Sequence, residues 1–205
     1  MGRSKIQESA DKYVKAIQRG QRTRFVSAVA WLNVIQYVEK CFAELQNHDI
    51  YRINRYYLTI DRTFPVTTLP NHIQIHAGHR KLGMDKQVDS NGEKTMVMAE
   101  GNAAIVFSQH YNGDVMILLY PYKSECYETN EKYLIYKTFD TATDISLKDV
   151  EKAFAAFLRY SKSTSCITQS TWSDYFFRLR FRLKDWTYRK TLWNRAKELI
   201  QLVKP

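Results

Sequence analysis

Glycine, proline and cysteine are all sparse in this sequence, and no long stretch of it is free of charge. Seven glycines and four prolines in 205 residues exclude collagen-like and low-complexity architectures. They also leave little scope for phosphate-cradling loops. The P-loop, the dinucleotide fingerprint and the metalloprotease helix motif are all missing. So is the acid-x-lysine pair of many metal-dependent nucleases. The three cysteines, Cys41, Cys126 and Cys166, are odd in number and far apart, which argues against a disulfide framework and for a reducing, cytoplasmic setting. The longest charge-free apolar stretch, Phe25 to Val38, has 14 residues. A bilayer span needs about 20, so no transmembrane segment is expected, and nothing behind Met1 reads as a signal peptide.

What is present is a normal globular composition, 44% hydrophobic and 14% aromatic, with an unusual charge distribution. The net charge is +10, and it is carried by the two ends of the chain. Residues 1–47 hold 8 basic and 4 acidic side chains, residues 48–171 hold 14 of each, and residues 172–205 hold 9 and 3. An asymmetric surplus of this kind suits an acidic partner such as nucleic acid, anionic lipid or an acidic protein face; it also serves solubility alone.

Periodicity predicts one α+β domain over 1–205, with a helical N-terminal segment (1–47), an antiparallel sheet of five or six strands (48–140) and C-terminal helices (141–205) that are basic from 172. Ser4 and Gln7 fit a capping box. Ile6, Ala10, Tyr13, Val14 and Ile17 then share a helical face. Gly20 is expected to end or kink this helix. A second helix, from about Thr23 to Gln46, carries two stripes, Phe25/Ala28/Leu32/Ile35/Phe42 and Trp31/Val34/Val38/Cys41/Leu45. So wide an apolar arc calls for burial on two sides.

Strand formers dominate 56–60, 72–76, 95–98, 103–108, 115–120 and 133–136. The turn at Asn112-Gly113 marks the clearest hairpin. The run Val115–Tyr120 has no polar face and reads as a strand covered on both sides. Ser146 is the expected cap of a further helix, with Ile145 and Val150 as its hydrophobic staple.

The segment 177–184 alternates as a basic-faced strand would. However, Trp172, Phe176, Leu179, Leu183, Trp186 and Trp193 recur at helical spacing over a longer stretch, which favours a helix. On its opposite face Phe177, Phe181 and Tyr188 lie among cations. Rings interleaved with cations suit single-stranded nucleic acid, since bases stack while phosphates pair. The expected nucleic-acid-binding set is therefore Arg178, Arg180, Arg182, Lys184, Arg189 and Lys190, with Phe177 and Phe181 as stacking surfaces. A plain packing role for the second aromatic row is the alternative.

No catalytic residue, metal site or cofactor is assigned. His72, His76 and His79 cluster in sequence, yet on a strand His72 and His76 stand about 13 Å apart, too far to share one ion. His76 and His79 with Cys126 form a weaker constellation. Cys126 is flanked by Glu125 and Glu128, and Ser108-Gln109-His110 lacks a nucleophile elbow. A carboxylate pair assembled by the fold, from Asp61, Glu100 or Asp114, stays open. Three function classes follow. The first is a binding subunit of a larger assembly that engages nucleic acid through its basic terminal helices. The second is a protein–protein adaptor or homo-oligomer using helix 25–45 and the tryptophan stripe. The third is a metal-dependent enzyme using the histidines.

Overall fold

A computed structural model of the chain describes residues 4–61, 71–87, 95–124, 131–185, 188–190 and 193. Ser4 opens α1 (Lys5–Gln46): its hydroxyl accepts from the Gln7 amide while the Gln7 side chain accepts from the Ser4 amide. This reciprocal cap is the one the sequence predicts. The helix does not end at Gly20. It runs unbroken for 42 residues, about 63 Å at 1.5 Å per residue. A single glycine costs a helix only about 1 kcal/mol, too little to break one with good formers on either side.

A short helix α2 (Asp49–Asn54) leads through Arg55, whose positive φ turns the chain into the sheet. Among the described residues eight strands follow: β1 (Tyr56–Asp61), β2 (Asn71–Ala77), β3 (Arg80–Gln87), β4 (Thr95–Gly101), β5 (Ala104–Gln109), β6 (Val115–Tyr120), β7 (Lys123–Ser124) and β8 (Leu134–Phe139). Five of them form one antiparallel sheet in the order β1-β2-β5-β6-β8, and β3, β4 and β7 form a second. The β3–β4 hairpin is thus an excursion between two paired strands of the main sheet. Strands β3 and β7 escape sequence reading because neither is apolar enough to stand out from a loop.

A 3-10 turn (Ala142–Asp144) precedes α3 (Leu147–Thr164), which Ser146 caps together with Asp149. Thr171 and Asp174 cap α4 (Trp172–Arg182) in the same way. The helical reading of 177–184 therefore holds for all but its last two residues, which form a turn. Helices α1 and α3 cover one face of the main sheet, over Ile73, Ile75, Ile105, Phe107, Val115, Ile117 and Leu119, all fully buried. The alternate residues Gln74, Val106, Met116, Leu118 and Tyr120 are only half-buried on the other face. Strand β6 is thus interior in the ladder but fully covered on one side only, contrary to the expectation of cover on both.

Ser27 marks where α1 joins the domain. Its hydroxyl donates to the Gly113 carbonyl (2.5 Å) and accepts from the Gln109 amide (2.9 Å) and the Ala142 N–H (3.0 Å). The Gly113 turn packs so closely that a β-carbon there would meet Ser27 at 3.2 Å and Arg24 at 3.4 Å. From Ser27 onward one face of α1 is buried. Before it, apart from the half-buried Thr23, every described residue is exposed.

Candidate functional site

Helix α4 packs on the domain through the face proposed for nucleic acid. Phe181 is buried against Tyr136 and Phe177, and Phe177 is half-buried beneath the Arg159 guanidinium. Neither ring is open for stacking, so the packing role accounts for that aromatic row. Two of the arginines turn inward with it. Arg178 forms a forked pair with the buried Glu131 carboxylate (Nε at 3.1–3.2 Å, Nη2 at 3.0 Å), and Arg182 reaches the same group at 3.3 Å. Tyr160 donates its hydroxyl to Glu131 at 2.9 Å. Lys184 donates to the Tyr136 carbonyl and lies over the Phe181 ring. Burial, with Arg180 and Lys137 nearby, lowers the pKa of its ammonium group.

Arg180, Arg189 and Lys190 are exposed, whereas Arg178 and Arg182 are turned to Glu131. The physical reason is Glu131. A buried carboxylate demands charge-assisted partners, and α4 supplies them one turn apart. The tryptophan stripe does the reverse of packing inward. Trp172, Phe176, Leu183 and Trp193 are all exposed, while Trp186 lies outside the described residues.

The N-terminal half of α1 is the larger open surface. Ile6, Tyr13 and Ile17 are 81%, 70% and 44% exposed. At 100° per residue they fall, with Ala10, on the same helix face as Trp31, Ile35 and Phe42, which the domain buries. That face of α1 is apolar but for Arg24, which lies on it between a bare first half and a covered second. Lys5, Lys12, Lys15, Arg19 and Arg22 lie on the opposite face and are exposed. Beside the bare stripe, Gln7, Ser9, Val14, Ala16, Gln21 and Thr23 carry no charge, while Lys5 stands at the same angle as Thr23. Sequence reading found this stripe but, by stopping the helix at Gly20, missed that it continues a buried one.

The histidines do not converge. His72 and His76 occupy one face of β2, four residues apart, and His76 stacks on Tyr57. Among the described residues no three His, Cys, Asp or Glu side chains are grouped to hold a metal ion; Cys126 lies outside them. Of the carboxylates considered for catalysis, Glu100 is fully buried in an ion pair with Arg80, Asp114 is engaged by Asn112 in the hairpin turn, and the Asp61 side chain lies outside the described set. Among the described residues no helix is long and apolar enough to cross a membrane.

No protein-family model, curated protein or solved structure matches this chain.

Proposed function

We propose that the protein is an assembly subunit that pairs with a second copy of itself through the projecting half of α1. The observation that carries this reading is the bare stripe Ile6–Ala10–Tyr13–Ile17 on a helix that has left its own domain. Isolated helices of such length are marginal in water, and a contiguous apolar strip of this kind marks an interaction surface. The spacing of four, three and four residues is that of a coiled-coil seam.

Three features favour a second copy running antiparallel. The stripe carries no charge from Ile6 to Ile17, and Lys12, Lys15, Arg19 and Arg22 point away from it, so the central contacts of two like chains meet without repulsion. Antiparallel overlap sets Tyr13 against Ile17, Ala10 against Gly20, and Ile6 against Arg24 of the other copy, large opposite large and small opposite small. That overlap also ends at Arg24, just before Ser27, where the domain begins to cover the same face. A parallel pair would instead stack Arg24 on Arg24 and drive the second helix into the domain.

Sedimentation across a range of concentrations tests the proposal. A reversible dimer is expected, reduced to monomer by Tyr13→Lys or Ile17→Lys, with the near-ultraviolet circular dichroism unchanged. A wild-type chain that is monomeric throughout, or a Tyr13→Lys/Ile17→Lys double variant that still dimerises, would overturn it.

A second reading keeps nucleic acid as the partner but moves it to α1. Lys5, Lys12, Lys15, Arg19 and Arg22 share one exposed helix face with Glu8 and Asp11, a net positive face that suits a polyanion and stays outward in the paired arrangement. Its mark would be an affinity for single-stranded RNA or DNA that falls steeply with salt and is lost in Lys12→Glu/Arg19→Glu. Salt-independent binding would rule it out.

A further inference from the structure

Helix α4 has two unlike faces, and the domain uses only one of them. At 100° per residue Phe177 and Phe181 fall on one side, where Phe181 packs on Tyr136 and Phe177 lies under Arg159. On the other side Trp172, Tyr175, Phe176, Leu179 and Leu183 share an arc of about 100°. Trp172 and Phe176 are 80% and 62% exposed; Tyr175 and Leu183 are exposed as well, and Leu179 is half-buried. The rings pack edge to face, Trp172 on Tyr175 at 6.3 Å and Tyr175 on Phe176 at 5.8 Å between centroids. They form one continuous apolar surface, and such a surface marks a place of contact.

The exposed charge around this face is basic. The one acidic residue of α4, Asp174, is buried, caps the helix and pairs with Arg159. Arg180 borders the apolar arc and is exposed, with Lys184 as its near neighbour. Arg189 and Lys190 follow, also exposed, and Asp185 between them and Lys184 is half-buried. A second copy of α4 laid on this face would set like cations against each other. Single-stranded nucleic acid calls for rings and cations interleaved, but here the cations lie over other rings, Arg182 over Tyr188 and Lys184 over Phe181. An anionic bilayer matches the arrangement, because its charge lies in the headgroup plane and its apolar matter directly beneath. Tryptophan and tyrosine favour that boundary, each having an apolar ring with one polar edge.

We propose that α4 docks the protein on an anionic membrane surface, lying in the plane of the interface with Trp172, Tyr175, Phe176 and Leu183 in its apolar layer and Arg180, Lys184 and Lys190 at the headgroup phosphates. The helix is in place before any lipid is met. An isolated helix of 11 residues is marginal in water, but α4 is held by its Thr171–Asp174 cap, by the Phe177–Phe181 row and by the fork between Arg178 and Glu131. Docking therefore has no segment to order. The contact is peripheral, since α4 is too short to cross an apolar core of about 30 Å. It uses none of the residues of the α1 arm and stands whether or not the chain self-associates.

Co-sedimentation with vesicles of equimolar phosphatidylcholine and phosphatidylserine tests the proposal, beside vesicles of phosphatidylcholine alone. The wild type is expected to bind the mixed vesicles about tenfold or more tightly than the uncharged ones. Trp172→Ser/Phe176→Ser should weaken binding to the mixed vesicles by about tenfold or more. That substitution leaves the charge unchanged, so adsorption through cations alone would not register it. Arg180→Glu should weaken the same binding by several-fold. All three side chains are exposed, so urea midpoints should stay close to that of the wild type. A wild type that fails to bind the mixed vesicles, or a Trp172→Ser/Phe176→Ser variant that binds them equally well, would overturn the proposal. So would capture by single-stranded RNA, in place of the vesicles, that the same two substitutions abolish; the rings would then be stacking on bases.

Discussion

Arg178 holds Glu131 in a forked contact at 3.0–3.2 Å, and this pair anchors α4 to the loop before β8. The carboxylate is 4% exposed and the guanidinium 17%, so the carboxylate has little access to water. Removing it takes away a partner shared by Arg178, Arg182 and Tyr160. Glu131→Ala is expected to destabilise the fold by about 3 kcal/mol, read from urea denaturation midpoints. Arg180→Ala, two residues on and facing solvent, should change the midpoint little. Equal effects from the two variants would deny the pair its anchoring role.

Acid should loosen α3 and α4 through their caps. Burial alone would raise the Asp149 pKa, but hydrogen bonds from Lys137 and Ser146 outweigh it and hold the carboxyl at about 2 against an ordinary 3.8. Asp174 is lowered in the same sense: burial raises it, and Thr171, Arg159 and Lys162 prevail. A carboxyl whose pKa is depressed by folding contributes its full stability above its unfolded value and loses it as the pH falls through the folded one. The contribution of Asp149, about 1 kcal/mol after allowance for solvent screening, should therefore vanish between about pH 4 and pH 2. Urea midpoints of the wild type and Asp149→Asn should converge over that interval. A gap that persisted to pH 2 would refute the assignment.

The antiparallel register makes a prediction of its own. A chain carrying Ala10→Cys and Gly20→Cys together should form interchain disulfides between positions 10 and 20 under mild oxidation, identified by peptide mapping. Ala10→Cys alone should cross-link poorly, because like residues do not face each other. Efficient 10-to-10 bridging would show that the helices run parallel.

Much of the fold was legible because caps and periodicity are local signals. Ser4/Gln7 and Ser146 stand at the helix starts where their side chains place them, and Asn112-Gly113 turns the β5–β6 hairpin. The surfaces were less legible, for a reason of geometry. Sequence shows that Phe177 and Phe181 oppose Trp172 and Phe176 on α4, but not which row meets the sheet. Glu131, 47 positions from Arg178 in the chain, decides that. The buried polar network is less visible still. Asn54, Arg80, Glu100 and Ser165 come from four separate stretches, and no spacing rule joins them.

Arg80 and Glu100 are also register partners, at the base of the β3–β4 hairpin where it leaves the main sheet and where it returns. The hairpin is thus clasped at its root by a buried ion pair, which fixes the spacing of its two strands where they join the main sheet.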